Sequence, residues 1–288
     1  MSSKEEILAF VNSENLKYQS IRLPYGITTS GDSREEAIEM AFGKGIQGKS
    51  VLDIGSFLGL FCLEALKRGA SSALGLELNR QRLRQSRKLA ELSGLAPTYL
   101  QYDIEDYPDV GRYDIVLCLN ILHHLRDPIG ALRFLALHTD DTLVLEVAQV
   151  GPRDLSRLRR LWSSSLDVGT SLLLRAIPMS RVLKRLPAMI VAPYSPKAKL
   201  RTFYFSERSL LSILQFHMKF FATVTIKPSS FKDRYFAVCE KLRIKRLVII
   251  SGLCSSGKST FVSELEHGKY WDELGGQPVV STKVTGNA

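Results

Sequence analysis

The chain has 288 residues, of which 45% are hydrophobic and 24% charged, a composition typical of a globular protein that buries a sizeable core. Four cysteines are spread without CxxC spacing, at Cys62, Cys118, Cys239 and Cys254. This pattern argues against disulfides and against a bound metal, and it favours a reducing, cytoplasmic location. The charged start MSSKEEILAF differs from a signal peptide, and no apolar run is long enough to predict a transmembrane segment.

The net charge of +10 is concentrated in one part of the chain. Between Gly151 and Arg201, eleven Lys or Arg residues face two Asp residues. Nearly all of the positive excess therefore belongs to a single segment, and a role for this charge has to be sought there.

The hydrophobic pattern predicts a doubly wound α/β fold. Two short helices are expected first, at 5–13 and 33–42, the second with Asp32 or Ser33 as its N-cap. Short apolar runs then alternate with helical stretches: runs at 50–54, 73–77, 98–102, 113–119 and 142–147, helices at 59–68, 79–92 and 129–137. Buried strands separated by helices indicate a mostly parallel sheet with crossover helices.

A leucine- and arginine-rich segment at 151–200 interrupts this alternation and predicts an inserted helical element. A helix at 205–216 with Ser206 as N-cap follows, and strands at 221–227 and 234–241 close a seven-stranded sheet. We therefore expect five parts: a substrate-covering segment at 1–48, a core at 49–150, a basic insertion at 151–200, the end of the core at 201–243 and a further unit at 244–288.

The stretch VLDIGSFLGLF, residues 51–61, has the order expected of a nucleoside-binding turn. A strand leads to Asp53, Gly55 and Gly59, and a helix begins directly beyond. Glu77 ends the next strand, where a carboxylate can accept both hydroxyls of a ribose. This turn lacks the pyrophosphate-binding GxGxxG, because Gly55 is followed by Ser56, Phe57, Leu58 and Gly59. Asp53 also lies where a negative charge would repel a pyrophosphate. The pattern thus favours a cationic nucleoside ligand over a dinucleotide.

From about Lys49 to Lys241 this combination resembles the class I S-adenosylmethionine-dependent methyltransferases. The resemblance rests on the first motif, on Glu77, on YDIEDYP with Asp103, and on YDIVLCLNILHHLRDP at 113–128. It implies S-adenosylmethionine as cofactor. The implied cofactor-binding residues are Asp53, Gly55, Ser56, Phe57, Gly59, Glu77, Leu78, Asp103, Ile104 and Asn120. The sequence departs from the family pattern at Phe57, where many members have a second glycine.

Methyl transfer to a hydroxyl or amine needs an aligned acceptor and a group that takes its proton. His123 and His124 follow the fourth strand at the carboxyl edge of the sheet, and His124 is the slightly preferred base. A packing role for either histidine is the alternative. Glu146, at the end of the fifth strand, is the third candidate, and capping of a neighbouring helix is its alternative role.

The acceptor is left open by the sequence. Segments 18–32 and 151–200 lie outside the common core and are the expected acceptor-binding parts. The segment order resembles methyltransferases of the tRNA wobble uridine and also relatives in glycan or small-molecule pathways. The cations of 151–200 fit RNA phosphates, a phosphorylated glycan or lipid carrier, an anionic membrane surface, or a solvated helical hairpin.

The stretch RLVIISGLCSSGKST matches the P-loop pattern G-x-x-x-x-G-K-[ST]. It predicts ATP binding by Gly252, Gly257, Lys258, Ser259 and Thr260, with Ser259 on magnesium. Too few residues follow to build a P-loop sheet. The leading hypothesis is a methyltransferase followed by a partial P-loop unit. The alternatives are a bifunctional methyltransferase–kinase fragment and a non-catalytic tether that uses the basic insertion.

Overall fold

The computed structural model describes residues 2–149, 187–191 and 203–241. Most of the predicted basic insertion and the whole P-loop motif lie outside these ranges. All structural statements below refer to the described residues. Among them, no helix is long and apolar enough to cross a membrane.

The amino-terminal part contains two helices joined by a mostly extended segment, residues 14–33, which we call the strap. Helix α1 is Lys4–Ser13 and helix α2 is Glu35–Phe42. The predicted N-cap of α2 was wrong, because the cap is Arg34 rather than Asp32 or Ser33. The Asp32 carboxylate accepts the Arg34 N–H at 2.8 Å, and Arg34 takes a left-handed conformation with φ 56°. This turn directs the Arg34 side chain inward, where it is buried.

The described strands form a seven-stranded sheet and a separate hairpin. The strands are β1 (Ser50–Ile54), β2 (Ser72–Leu76), β3 (Thr98–Leu100), β4 (Tyr113–Leu119), β5 (Thr139–Ala148), β6 (Met189–Val191), β7 (Phe203–Phe205), β8 (Phe221–Pro228) and β9 (Arg234–Lys241). The sheet order is β3-β2-β1-β4-β5-β9-β8. Strands β1 to β5 pair in parallel, whereas β9 pairs antiparallel with both β5 and β8. The predicted mostly parallel seven-stranded sheet is confirmed.

The remaining helices are α3 (Leu60–Lys67), α4 (Arg80–Ser93), α5 (Pro128–His138) and α6 (Glu207–Leu211). The predicted cap of α6 is confirmed, since the Ser206 hydroxyl accepts the Ser209 N–H at 3.1 Å. The predicted helix over 205–216 is found as α6 followed directly by a π-helix over Ser212–His217. Residues 189–191 are a strand paired with β7 rather than part of a helix.

Two apolar cores cover the two faces of the sheet. Because side chains alternate along a strand, Val51 joins the core beneath α3 and α4, whereas Leu52 and Ile54 join the core beneath α5. The chain winds from β1 to β3 in one direction and from β4 to β5 in the other. This reversal leaves a crevice at the carboxyl ends of β1 and β4, the usual position of ligands in such sheets.

Candidate functional site

A cleft of about 750 Å³ lies at this reversal point. Its walls come from the carboxyl ends of β1, β2 and β4, and the strap contributes further lining residues. Nine predicted site residues line it: Asp53, Gly55, Phe57, Glu77, Leu78, Asp103, Ile104, Asn120 and His124. Its volume is in the range of small-molecule and cofactor sites.

Glu77 is a buried carboxylate whose position is fixed by the backbone. Its Oε2 accepts the Phe57 N–H at 3.0 Å, and its Oε1 accepts the Asn79 N–H at 2.8 Å. Each carboxylate oxygen has a second lone pair, so both can still accept a bond from a ligand hydroxyl. This arrangement is suited to a pair of vicinal hydroxyls.

Asp53 is 2% exposed, and its Oδ2 has no hydrogen-bond partner among the described residues. Burial, reinforced by the nearby charge of Glu77, raises the pKa of Asp53 to about 8, although Arg34 opposes this increase. A buried acid without a partner is costly. A cationic ligand group in the cleft would satisfy it.

The loop after β1 turns through backbone conformations that favour glycine. Gly55 has φ 71°, and a Cβ there would lie 2.5 Å from Ile121 Cδ1. Phe57 has φ 55°, which explains why glycine suits this position. The centres of the Phe57 and Tyr18 rings are 5.0 Å apart. The Arg82 guanidinium carbon lies 4.1 Å from the centre of the Phe57 ring. Phe57 therefore forms part of the cleft wall without filling the cleft.

Asp103 and Ile104 lie on a 3-10 turn, Ile104–Asp106, that is tied to the β4 side of the cleft. The Glu105 carboxylate accepts the backbone N–H groups of Arg126 and Asp127 at 2.7 and 3.2 Å. These bonds hold the pKa of Glu105 below its usual value despite its partial burial. Glu105 thus connects the turn that carries Asp103 to the loop that follows His124.

Asn120 stands where β4 leaves the sheet, with φ 64°. Its backbone N–H donates to the Glu146 carbonyl at 2.8 Å, and its Nδ2 lies 3.5 Å from the Tyr18 hydroxyl. Its Oδ1 is buried and has no hydrogen-bond partner within the described ranges. Asn120 therefore offers an acceptor to the cleft from the side opposite Glu77.

Arg34 enters the cleft from the start of α2 and is held by Glu146. Its Nη2 donates to Glu146 Oε2 at 2.6 Å, and its side chain is 4% exposed. Arg234 Nη1 reaches the same oxygen at 3.4 Å, and the Ser229 hydroxyl donates to Glu146 Oε1 at 3.1 Å. Glu146 is fully buried and caps no helix. The Arg34 Nε is left without a hydrogen-bond partner in the described part of the chain.

Three buried polar atoms without partners thus belong to residues that line one cleft: Asp53 Oδ2, Asn120 Oδ1 and Arg34 Nε. Two of them accept hydrogen bonds and one donates. Buried polar atoms in folded proteins are almost always paired, so several unpaired ones among the residues of one cleft are a pattern expected of a ligand-binding site. The set is complementary to an ammonium and a carboxylate, which together make an α-amino-acid group.

The structure separates the two candidate histidines. His124 is exposed and lines the cleft, whereas His123 is 1% exposed and does not line it. Their rings are 4.0 Å apart. The position of His124 is thus the one that an acceptor in the cleft can approach.

The remaining predicted residues have other placements. Ser56 and Glu146 are buried behind the cleft wall and do not line the cleft. Gly59 also lies off the lining, and with φ 84° it leaves room for Tyr99, whose hydroxyl a Cβ would overlap. The P-loop residues at 252–260 lie outside the described residues. Within the described ranges, no group of three or more His, Cys, Asp or Glu side chains is arranged to hold a metal.

Several cleft residues escaped prediction because they come from the strap and from the start of helices. Tyr18, Gln19, Arg34 and Arg82 line the cleft. Gln19 Oε1 accepts the Leu58 N–H at 3.0 Å and so joins the strap to the loop after β1. Tyr18, Gln19 and Arg34 fall in the segment 1–48 that was expected to cover the substrate. Tyr18 and Gln19 also fall in 18–32, the expected acceptor-binding part, whereas no local pattern marks Arg34.

Known relatives are consistent with this geometry. "Ubiquinone biosynthesis O-methyltransferase" of Erwinia tasmaniensis is 31% identical over 136 residues, which are 46% of this chain and 53% of the relative. The Vibrio campbellii protein of the same name is 33% identical over 136 residues, covering 46% of this chain and 55% of the relative. The chain thus spans about half the length of the curated relatives it matches.

The fold has a solved counterpart in the N-terminal domain of EvdMO1, crystallised in the presence of SAH and D-fucose. The two share 19% identity with a TM-score of 0.56, over 84% of this chain and 98% of that domain. At this identity the likeness establishes the Rossmann-like methyltransferase fold. A family model described as a methyltransferase domain matches residues 33–215, well over half of the chain. The chain therefore belongs to the methyltransferase domain family.

Proposed function

We propose that this chain transfers a methyl group from S-adenosylmethionine to an oxygen or nitrogen atom of a small-molecule acceptor. The family membership and the relatives named O-methyltransferases support the reaction class. The observation that carries the proposal is the set of three unpaired buried atoms in the cleft. Their donor and acceptor pattern matches the amino-acid end of this cofactor.

The residues of the cleft fit the cofactor along its whole length. Asp53 Oδ2 and Asn120 Oδ1 would accept bonds from the ammonium, and Arg34 Nε would donate to the carboxylate. Glu77, held by two backbone N–H groups, would accept the ribose hydroxyls.

The adenine end of the cofactor would lie beyond Glu77. Asp103 would accept a bond from the adenine amino group, with Ile104 and Leu78 against the ring. All three residues line the cleft.

When bound, S-adenosylmethionine supplies a methyl group on a positively charged sulfur. The chain has to align the acceptor in line with that group and to take its proton. His124 is the proposed base, because it is exposed in the cleft. Glu146 is unsuited to this role, since Arg34, Arg234 and Ser229 already occupy its oxygens.

The acceptor class follows from the relatives rather than from the cleft. Their names concern ubiquinone biosynthesis and O-methylation, which favours an oxygen atom of a small molecule over RNA. The sugar present in the EvdMO1 crystal makes sugar hydroxyls the second group to test. A glycan and an RNA acceptor stay as further proposals from the sequence.

Binding and transfer can be tested separately. Titration calorimetry of the 288-residue chain with S-adenosylmethionine and S-adenosylhomocysteine is expected to show binding of both. If neither compound binds, the proposal is refuted. Transfer of a radiolabelled methyl group is then measured with catechols, sugars and RNA. Label in RNA but not in the small molecules would assign the acceptor to another class.

Three further proposals rest on sequence alone. The P-loop pattern at 252–260 implies binding of ATP with magnesium, which Lys258→Ala should abolish. The cations of 151–200 imply contact with an anionic surface or a phosphate-bearing acceptor, which charge reversal at Arg157, Arg159 and Arg160 should weaken. A cytoplasmic location would follow from the cysteine usage.

A further inference from the structure

We propose that Arg82 recognises an anionic group of the methyl acceptor, so that the acceptor is a small molecule carrying a carboxylate or a phosphate. The inference rests on the proposed function and names the substrate class of the same cleft. Arg82 lies in the first turn of α4, is exposed and lines the cleft. The proposed contacts of the cofactor leave this charged residue without a role.

The Arg82 side chain is held by an aromatic ring rather than by an acid. Its guanidinium carbon lies 4.1 Å from the centre of the Phe57 ring. It forms no ion pair with an acid of the described residues, whereas Arg84 on the same helix pairs with Glu14 at 2.8 Å. A guanidinium over a ring face uses little of its hydrogen-bonding capacity. Most of its five N–H donors therefore stay open to an anion.

Two strained backbone positions hold the ring on which Arg82 lies. Phe57 has φ 55° and Tyr18 has φ 95°, and the centres of their rings are 5.0 Å apart. Tyr18 is fixed in turn, because its carbonyl accepts the Asp32 N–H at 3.2 Å and because a Cβ at Gly31 would lie 2.6 Å from its carbonyl carbon. Such backbone costs about 1–3 kcal/mol for each residue and is typical of functional sites.

The charge of Arg82 does not suit the cofactor. S-adenosylmethionine has a positive sulfur, and a guanidinium offers its ammonium no hydrogen-bond acceptor. The carboxylates that line the cleft, Asp53, Glu77 and Asp103, have proposed roles toward the ammonium, the ribose and the adenine, and Arg34 has one toward the carboxylate. An anion on the acceptor would be attracted both by Arg82 and by the positive sulfur.

The stacked rings connect Arg82 with the side of the cleft where methyl transfer is proposed. The Tyr18 hydroxyl lies 3.5 Å from Asn120 Nδ2 at the end of β4, and His124, the proposed base, lines the same cleft. Tyr18 is 47% exposed, so its ring offers a contact face to an acceptor. The acceptor would then contact Arg82 through its anion and His124 through the hydroxyl that receives the methyl group.

Paired ligands that differ in charge test the proposal by calorimetry on the 288-residue chain saturated with S-adenosylhomocysteine. 3,4-Dihydroxybenzoate has a carboxylate, and 3,4-dihydroxybenzamide has a similar shape without the charge. Glucose 6-phosphate and glucose make the same comparison for a phosphate. We expect the wild-type chain to bind at least one of the two anions about tenfold more tightly than its neutral partner.

Three variants test whether this preference comes from Arg82. Arg82→Met removes the charge and is expected to lower the preference about tenfold, while changing the affinity for S-adenosylhomocysteine less than about twofold. Arg82→Lys keeps a charge without the planar fork and is expected to retain part of the preference. Arg84→Met is the matched control, because Arg84 is a cation of the same helix that does not line the cleft.

The possible results are distinct from one another. A preference for the benzoate alone or for the sugar phosphate alone supports the inference and identifies the anion as a carboxylate or a phosphate. No preference for either anion in the wild-type chain, an unchanged preference in Arg82→Met, or an equal loss in Arg84→Met would overturn the inference. A comparable loss of S-adenosylhomocysteine affinity in Arg82→Met would also overturn it, because Arg82 would then belong to the cofactor. If the wild-type chain does not bind S-adenosylhomocysteine, the proposed function itself fails.

Discussion

Cofactor affinity should rise with pH because of one buried carboxyl group. Asp53 has its pKa raised to about 8 by burial and by Glu77, so it is largely protonated in the free chain at neutral pH. An ammonium group can pair only with the ionised form. A cation beside the carboxylate also lowers its pKa, so ligand binding should expel the proton.

The size of the effect follows from that pKa. The fraction of ionised Asp53 falls about tenfold for each pH unit below 8, so affinity at about pH 6 should be about a hundredfold lower than at about pH 9. Above pH 8 the affinity should level off. At about pH 7, binding should release close to one proton.

Calorimetry with S-adenosylhomocysteine between about pH 6 and pH 9 measures both quantities, and buffers of different ionisation enthalpy give the proton release. Asp53→Asn is the control, because the amide cannot ionise while any titration of the ligand stays the same. A flat profile in the wild-type chain, or the same slope in Asp53→Asn, would refute the reasoning. Either result would mean that the ammonium group of the ligand does not pair with the Asp53 carboxylate.

Four other perturbations test the remaining geometry. Because the pKa of Asp53 is raised, the folded chain holds a proton between about pH 4 and pH 8 that the unfolded chain has lost. The free energy of unfolding should therefore fall by up to about 1.4 kcal/mol for each pH unit as the pH rises through this range. Denaturant titrations should show this slope in the wild-type chain and not in Asp53→Asn. Glu77→Ala should weaken S-adenosylhomocysteine by about a hundredfold in calorimetry, since it removes the acceptors for the ribose hydroxyls. Gly59→Ala should lower the free energy of unfolding by about 2 kcal/mol, because of its positive φ and the overlap with Tyr99. Glu105→Ala should weaken nucleoside binding about tenfold, whereas Glu105→Gln should recover part of it by keeping an acceptor for the two backbone N–H groups.

The sheet and the carboxylates at its carboxyl edge were predictable because they depend on local pattern. Apolar runs fixed the parallel strands to within a few residues, and strand ends placed Asp53, Glu77 and Asp103 on one edge. Parallel strands end at the same side of a sheet, so carboxylates that are distant in sequence meet there. Their roles toward the cofactor stay predictions.

The Arg34 and Glu146 side of the cleft was not predictable for the opposite reason. Arg34 reaches the cleft only through its left-handed backbone and its bond to Glu146, 112 residues away in sequence. No periodicity marks either feature. For Glu146, the sequence left a catalytic base and a helix cap as alternatives. Its partners Arg234 and Ser229 are more than 80 residues away in sequence, so no local pattern indicates the contacts.

The places where the chain departs from ordinary folding rules identify the site independently of any family likeness. Four of the eight described non-glycine residues with positive φ line the cleft: Tyr18, Arg34, Phe57 and Asn120. Asp53, Asn120 and Arg34 line the same cleft, and each has a buried side-chain atom without a hydrogen-bond partner in the described residues. Each such feature costs about 1–3 kcal/mol, so their concentration in one cleft requires compensation elsewhere in the fold, as the two apolar cores provide. A ligand with an ammonium and a carboxylate would supply the missing bonds, and its binding energy would come from relieving that cost.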